Sequence, residues 1–236
     1  MRWIPLVFVA VLSGCVVTSE PPTSGRPTPP ATRPKAVSVP TAADKQRFEQ
    51  VVRRVEPMAE RMCRERTSGN NCDFRIVVDA RPNQPSNAYQ TFDKTGRPVL
   101  AFTLALIADV RNQDEMAFVM SHEAAHHIRG HAKRTQQNAQ TGALILGGLA
   151  ALTGAGSGVI QEAVNMGGSV GARSYSKDFE LEADALGTVI TKRAGFDPVR
   201  GAQYFNRIPD PGNRFLGTHP PNAQRIETVK RVNAGL

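Results

Sequence analysis

Apolar residues recur at three- and four-residue steps along much of the chain, and this spacing is typical of amphipathic helices. In residues 42–66 the repeating positions include Phe48, Val51 and Val55, and the opposite face is charged. The same spacing predicts further helices at 104–110, 113–133, 179–194, 199–208 and 220–232. The chain is therefore expected to be mostly helical.

A different pattern between the first two helices predicts a small sheet. In residues 74–80, Ile76 and Val78 alternate with their neighbours as in a strand. Residues 88–92 and 98–103 flank the turn-forming sequence Asp93-Lys94-Thr95-Gly96, which indicates a β-hairpin. The expected fold class is α+β, mostly helical, with one domain at 42–236 that is long enough to bury a full core.

Residues 140–173 are rich in Gly and Ala, and Glu162 is their only charged residue before Arg173. We reject a transmembrane span because several glycines break the apolar run and polar residues follow at once. The pattern predicts two packed helices at 144–152 and 159–166, joined by a Gly-rich loop. Because the segment lies between the two helices that carry the candidate site, it either covers a cleft there or packs in the core.

The N-terminus has the pattern of a lipoprotein signal peptide. The apolar run at 4–12 follows a short basic start and is too short to span a bilayer. Small residues precede Cys15, so we predict removal of residues 1–14 and lipidation of Cys15; a chance Cys is the alternative. The Pro-, Thr- and Ser-rich residues 15–41 predict an extended tether. By analogy with lipoprotein sorting, Val16 favours the periplasmic side of the outer membrane over the inner membrane.

Two cysteines remain in the predicted domain. Cys63 and Cys72 flank a polar loop, and an even pair in an oxidising compartment predicts one disulfide. A metal site of two Cys is the weaker alternative, because only these two thiols are available.

The most informative stretch is His122-Glu123-Ala124-Ala125-His126, inside the predicted helix 113–133. Positions four apart share a helix face, so the two imidazoles converge on one point that a metal ion can occupy. Glu123 can reach a water on that ion without being a ligand, which is the position of a general base. Chance matches to this pattern occur, but four of the five His lie between His122 and His131, and Asn112 can cap the helix. The context favours zinc.

The third ligand separates the classes of zinc peptidase. Metzincins require Gly and His at positions that Arg129 and Ala132 hold here, so this class is excluded. Glu180 can instead complete a site of two His and one Glu, with water as the fourth ligand. Asp184 shares its helix face and can accept a hydrogen bond from the free ring nitrogen of a ligating His. Glu182 points the other way and is expected to be solvated. Without the first motif, this cluster would be an ordinary acidic helix face.

Three blocks of sequence resemble the HtpX-like zinc metallopeptidases, which include the prenyl-protein (CAAX) endopeptidases and periplasmic quality-control proteases. The blocks are His122-Glu123-Ala124-Ala125-His126 with His131 five residues on, Tyr175-Ser176-Lys177-Asp178-Phe179-Glu180-Leu181-Glu182-Ala183-Asp184, and Thr218-His219-Pro220-Pro221-Asn222-Ala223-Gln224-Arg225-Ile226. The resemblance spans roughly residue 75 to the C-terminus and implies a zincin-like fold. It implies that His122, His126 and Glu180 bind zinc and that Glu123 is the catalytic base. The lack of obvious transmembrane helices points to a periplasmic branch.

The resemblance also carries expectations for the surroundings of the site. It implies that a sheet edge above the metal helix, near 87–89 or 99–103, aligns the substrate backbone as an added strand. It places His219 close to zinc, with a neighbouring or occluding role; a capping or surface role is the alternative. Arg225 is a candidate for orienting acidic partners or stabilising an oxyanion.

Charge and composition narrow the function further. The formal net charge is +8, but no block of like charge stands out and aromatic residues are 6%, so nucleic-acid binding is not expected. We expect an envelope-tethered zinc endopeptidase with one zinc per chain, acting on unfolded or misassembled envelope proteins. The rival hypothesis is an occluded, zinc-bound binding or chaperone-like lipoprotein that seldom cuts. A purely structural zinc would leave Glu123 without a role.

Overall fold

Helices make up most of the described chain, and one three-stranded sheet accompanies them. The α-helices are α1 (Ala42–Arg66), α2 (Leu104–Asp109), α3 (Gln113–Ile128), α4 (His131–Leu152), α5 (Ser157–Ser174), α6 (Ser176–Arg193), α7 (Pro198–Gly201) and α8 (Asn222–Ala234). The strands are β1 (Arg75–Asp79), β2 (Ala88–Phe92) and β3 (Pro98–Thr103). The predicted α+β, mostly helical fold class is confirmed.

The computed structural model describes residues 39–174, 176–213, 217 and 219–236. The predicted signal peptide at 1–14, the lipidation site Cys15 and most of the tether lie outside the described residues. In the described part of the chain, none of the helices combines the length and the apolar character that crossing a bilayer requires.

Helix α1 begins where the sequence pattern places it. Thr41 and Asp44 form a reciprocal capping box, in which each side chain bonds the backbone N–H of the other residue. The apolar face of α1 is fully buried at Val51 and Val55 and packs against α3. At the other end of the helix, Cys63 and Cys72 form the predicted disulfide.

The sheet has the strand order β1-β3-β2. Strand β3 is parallel to β1 and antiparallel to β2, which confirms the predicted hairpin. All six residues of β3 are buried. Because β3 is bonded on both sides, the expectation of a free substrate-binding edge at 99–103 is wrong. Strand β2 is bonded to β3 on one side and leaves an edge in the described sheet.

Helix α3 is shorter than the predicted 113–133. Its start agrees with the prediction, since the side chain of Asn112 accepts a hydrogen bond from the Glu115 backbone N–H at 3.0 Å. The strong part of the apolar pattern ends near Gly130, and so does the helix, because Gly130 has φ 64°, a left-handed conformation that ends a helix. The chain turns there, and α4 begins at His131.

Helices α3 and α6 cross in close contact beside the candidate site. A side chain at Gly187 of α6 would bring its Cβ to 3.1 Å from the backbone nitrogen of His122 and 3.2 Å from its Cα. Glycine at this position therefore allows the two helix backbones to approach. The approach brings the two segments with ligand-type side chains together.

Helices α4 and α5 pack on each other as a long hairpin, which we call the α4–α5 hairpin (His131–Leu152 and Ser157–Ser174). Its helices are longer than the predicted 144–152 and 159–166. Side chains at Gly142 and Gly167 would overlap backbone carbonyl oxygens of the facing helix, so glycine permits the close packing. Leu149 and Leu152 are exposed. The expectation that this segment packs in the core is therefore wrong.

The C-terminal part returns to the core beside α3 and α6. The side chain of Asp197 accepts hydrogen bonds from the backbone N–H groups of Val199 and Arg200, which confirms its predicted role as a helix cap. The predicted helix at 199–208 is instead the short α7 followed by a 3-10 helix at Ala202–Asn206. Helix α8 then packs against α6.

Candidate metal centre

Two helices supply the ligand-type side chains of the candidate site. Helix α3 contributes His122 and His126, which are one helical turn apart, and Glu123, which follows His122 directly. Helix α6 contributes Glu180, and the three ligand-type residues His122, His126 and Glu180 form a cluster whose donor atoms are close enough to hold one metal ion. The structure thus brings together the predicted ligands from segments more than fifty residues apart.

The donor atoms lie close enough together to bind one metal ion. The two His Nε2 atoms are 3.0 Å apart, and the Glu180 carboxylate lies 3.6 Å from His122 Nε2 and 3.3 Å from His126 Nε2. A tetrahedral zinc with ligands at about 2.0–2.2 Å needs neighbouring donors about 3.3–3.6 Å apart. The two contacts of Glu180, one through each carboxylate oxygen, lie in this range, whereas the two His Nε2 atoms are closer together. Two imidazoles and one carboxylate are also the donor set of a catalytic zinc with one position left for water. The residues present fit this metal.

Glu123 lies next to this cluster but outside it. It is partly buried and lies on α3 directly after His122, in the helical turn that ends at His126. Its charge reaches Arg225: burial lowers the pKa of that guanidinium, but the charges of Asp184, Glu180 and Glu123 outweigh it and raise that pKa. Glu123 therefore lies within electrostatic range of Arg225, which bonds Asp184 behind His122.

Asp184 and Arg225 form a buried ion pair behind His122. Asp184 Oδ1 lies 2.9 Å from His122 Nδ1, so the ring can donate that N–H to the carboxylate. Arg225 donates two hydrogen bonds to Asp184, from Nε and Nη2, each at 2.7 Å. Burial raises the pKa of Asp184, but the charge and hydrogen bonds of Arg225 outweigh it and lower that pKa. Arg225, which the sequence offered as an oxyanion or acid-orienting group, is thus bonded to an acid of the site itself.

Burial and hydrogen bonds within the cluster shift the pKa values of His122 and Glu180. Burial lowers the pKa of His122, but hydrogen bonds to Asp184 and Glu180 outweigh it and raise that pKa to about 10. Burial raises the pKa of Glu180, but hydrogen bonds with three histidines, including His126 and His219, lower it well below its usual value. The carboxylate is therefore ionised, as a metal ligand must be.

A comparison of the sequence with family profiles assigns the chain to a family. The profile of peptidase family M48 matches residues 45–233, which is most of the chain. The chain belongs to peptidase family M48. The resemblance to the HtpX-like zinc metallopeptidases is confirmed.

Relatives of this M48 chain include two proteins named as proteases. The beta-barrel assembly-enhancing protease of Escherichia coli (strain K12) is 29% identical over 178 residues, covering 64% of this chain and 33% of that protein. The mitochondrial metalloendopeptidase OMA1 of Saccharomyces cerevisiae is 28% identical over 159 residues, covering 63% of this chain and 45% of that protein. The chain spans between a third and a half of the length of these curated relatives.

His219 of the M48 chain lies at the entrance to the cluster. Its Nδ1 is 3.0 Å from Glu180 Oε2, and 53% of its side chain is exposed. It therefore contacts a candidate ligand from the solvent side. A role limited to capping a helix does not account for this contact.

His131 and Glu182 lie behind His126 of the M48 site. His131 Nδ1 lies 2.9 Å from His126 Nδ1, and its Nε2 lies 3.3 Å from Glu182 Oε2. Arg134 donates hydrogen bonds to both oxygens of Glu182, at 2.7 and 3.1 Å. The side chain of Glu182 is 35% exposed, but it is bonded rather than only solvated as expected, because α4 turns back beside α6 and supplies these partners. Hydrogen bonds from Arg134 lower the pKa of Glu182 to about 2, against the effect of burial.

The sequence alone does not predict these partners. It offers His131 only as part of a motif and gives no role to Arg134. The spacing of His131 and Arg134 gave a signal, since three residues apart is one helical turn. It became informative only once α4 was known to begin at His131.

Proposed function

We propose that this chain is a zinc-dependent endopeptidase with one zinc per chain. The observation that carries the proposal is the cluster of His122, His126 and Glu180, whose donor atoms are close enough to hold one metal ion and are the donor set of a catalytic zinc, with Glu123 next to His122 on the same helix. A structural zinc is normally closed by four protein ligands, and here the described cluster contains three. A three-ligand site next to a carboxylate is suited to hydrolysis.

Each residue of the site has a separate role in this proposal. His122, His126 and Glu180 would hold the zinc, which supplies a Lewis acid and makes its bound water more acidic. Glu123 would accept the proton of the attacking water and return it to the leaving amine as the peptide bond breaks. Asp184, fixed by Arg225, would keep the Nδ1 proton of His122 in place, so that Nε2 presents its lone pair to the metal.

The edge of β2 supports a polypeptide substrate. Strand β2 is bonded to β3 on one side, and it packs against α3, which carries Glu123. An extended peptide could add to this edge through main-chain hydrogen bonds, which bind a backbone without regard to its sequence. This mode suits an endopeptidase that acts on unfolded chains.

The cellular setting is also part of the proposal. The predicted lipidation site Cys15 and the tether at 15–41 support an anchor on the periplasmic side of the outer membrane, with the inner membrane less favoured. The name of the relative from Escherichia coli, a beta-barrel assembly-enhancing protease, supports substrates among misfolded or misassembled envelope proteins. Nucleic acid is not among the proposed partners.

The experiment that tests the proposal uses Glu123→Gln. This change keeps the size of the side chain but removes the proton acceptor, so cleavage of an unfolded substrate such as casein should fall about 10²- to 10⁴-fold. Zinc content, measured by atomic emission, should stay at one per chain, whereas His126→Ala and Glu180→Ala should lose the metal. Equal cleavage by Glu123→Gln and wild type would refute the proposed base.

A second candidate function rests on the contact between His219 and Glu180. If His219 blocks the fourth zinc position, the chain is a binding protein that seldom cuts, and His219→Ala should raise casein cleavage. If His219 only neighbours the site, the same change should leave cleavage within error. A chain that binds one zinc and cuts no unfolded protein, as wild type or as His219→Ala, would favour the binding protein.

A further inference from the structure

Each candidate ligand on α3 has its own hydrogen-bonded support, and the two supports come from different parts of the chain. His122 is backed by Asp184 and Arg225, whereas His126 is backed by His131, the first residue of α4. The support of His122 is a carboxylate, as is usual behind a ligating histidine. The support of His126 is a second imidazole, and its role depends on where the protons are.

The contacts of His131 allow one arrangement of protons. Both oxygens of Glu182 accept hydrogen bonds from Arg134, so the carboxylate acts as an acceptor, and the Nε2 that faces it at 3.3 Å carries the hydrogen of a neutral His131. The other nitrogen of His131 then has a lone pair and accepts the N–H of His126 Nδ1 at 2.9 Å. Because a neutral imidazole has one N–H, His126 Nε2 is left with the lone pair that a metal needs.

The ring of His131 is held rigidly in this orientation. It is 4% exposed and stacks on the ring of Phe179, with centroids 4.7 Å apart and planes at 8°. Arg134 lies over the same Phe179 ring at 4.2 Å while it bonds both oxygens of Glu182. The left-handed Gly130 sets the start of α4, which supplies both His131 and Arg134.

We propose that His131 is a positioning residue that fixes the tautomer and the ring orientation of His126 for zinc, with Glu182 and Arg134 as its support. It does not contact the metal. The inference rests on the proposed zinc site, and it adds a second, separate support to the one at Asp184. Outer partners of this kind typically change metal affinity by about 10- to 100-fold.

The test measures zinc affinity of the full chain by competition with a chromophoric chelator. His131→Phe keeps an aromatic ring on Phe179 but removes the acceptor, so it should weaken zinc binding by about 10- to 100-fold. His131→Asn keeps an acceptor near the position of Nδ1 and should restore most of the affinity. Glu182→Gln removes the acceptor-only partner at a position 35% exposed and should weaken binding to a smaller extent.

A matched control is available one residue after His126. His127 is also a buried histidine of α3, but its Nε2 bonds the Asn71 carbonyl at 2.8 Å, in the disulfide loop. The same change, His127→Phe, should leave zinc affinity unchanged within a factor of about two to three. A loss in this control equal to that in His131→Phe would show a general effect of removing buried histidines and overturn the inference.

A second readout reports the tautomer itself. In the zinc-loaded chain, long-range proton–nitrogen NMR spectra should show His126 protonated at Nδ1, with slow exchange of that hydrogen with solvent. His131→Phe should speed this exchange, and His131→Asn should slow it again. Wild-type affinity in His131→Phe, or no rescue by His131→Asn, overturns the inference while leaving the zinc site intact. A wild-type chain that binds no zinc overturns the proposed function as well.

Discussion

The ion pair between Asp184 and Arg225 gives a prediction whose size follows from burial. The side chains are 0% and 8% exposed, so this is a buried pair and not a surface one. Arg225→Met keeps an unbranched side chain but removes the guanidinium, which lies over the Phe205 ring, and leaves the carboxylate of Asp184 buried without its Arg partner. Breaking a buried pair in this way costs about 3–5 kcal/mol. A protonated His122 offsets part of the cost in the metal-free chain, so about 3 kcal/mol is expected.

The assay is urea unfolding of the metal-free chain, followed by circular dichroism. With a slope of roughly 2 kcal/mol per molar urea, a loss of about 3 kcal/mol lowers the midpoint by about 1.5 M. The double variant Arg225→Met, Asp184→Asn should be more stable than Arg225→Met alone, because the unpaired charge is gone. A midpoint for Arg225→Met within about 0.3 M of wild type would refute the assignment of this pair as a buried support.

Two further changes test the disulfide and the hairpin. The double variant Cys63→Ser, Cys72→Ser should lower the free energy of unfolding by about 2–3 kcal/mol, because the bond closes a loop with a sequence separation of 9. Thermal melts of the metal-free chain measure this loss, and an unchanged melting temperature would contradict it. Gly167→Leu should open the α4–α5 hairpin and expose it to limited proteolysis, whereas Gly148→Leu, with open space around it, should not; equal cleavage of the two variants would contradict the close packing.

Local patterns made much of the fold predictable. Helix α1 starts at Ala42 because Thr41 and Asp44 cap each other within one turn, and such a signal is complete in a few residues. The hairpin of β2 and β3 follows from a turn whose first residue, Asp93, bonds the backbone of Thr95. The convergence of His122 and His126 likewise needs only the geometry of one helix.

The remaining features depend on contacts between distant segments. Glu182 was expected to be solvated because it faces away from Glu180 on α6, and only the return of α4 supplies Arg134 as its partner. The pairing of Arg225 with Asp184 depends on where α8 packs, which hydrophobic spacing does not determine. Gly130 near the end of the strong pattern is a local signal for the end of α3, but the start of a new helix at His131 depends on the positive φ of Gly130.

The α4–α5 hairpin makes the region between the ligand helices modular. Close packing along Gly142 and Gly167 holds the two helices together below a connection at residues 153–156, which is exposed at Gly154. Exposed loop tips of this kind tolerate inserted sequence, because few contacts depend on them. A peptide tag or a small reporter domain inserted after Gly154 should therefore leave the spacing of His126 and Glu180 unchanged. Evolution can use the same freedom to lengthen or shorten this hairpin without rebuilding the site beneath it.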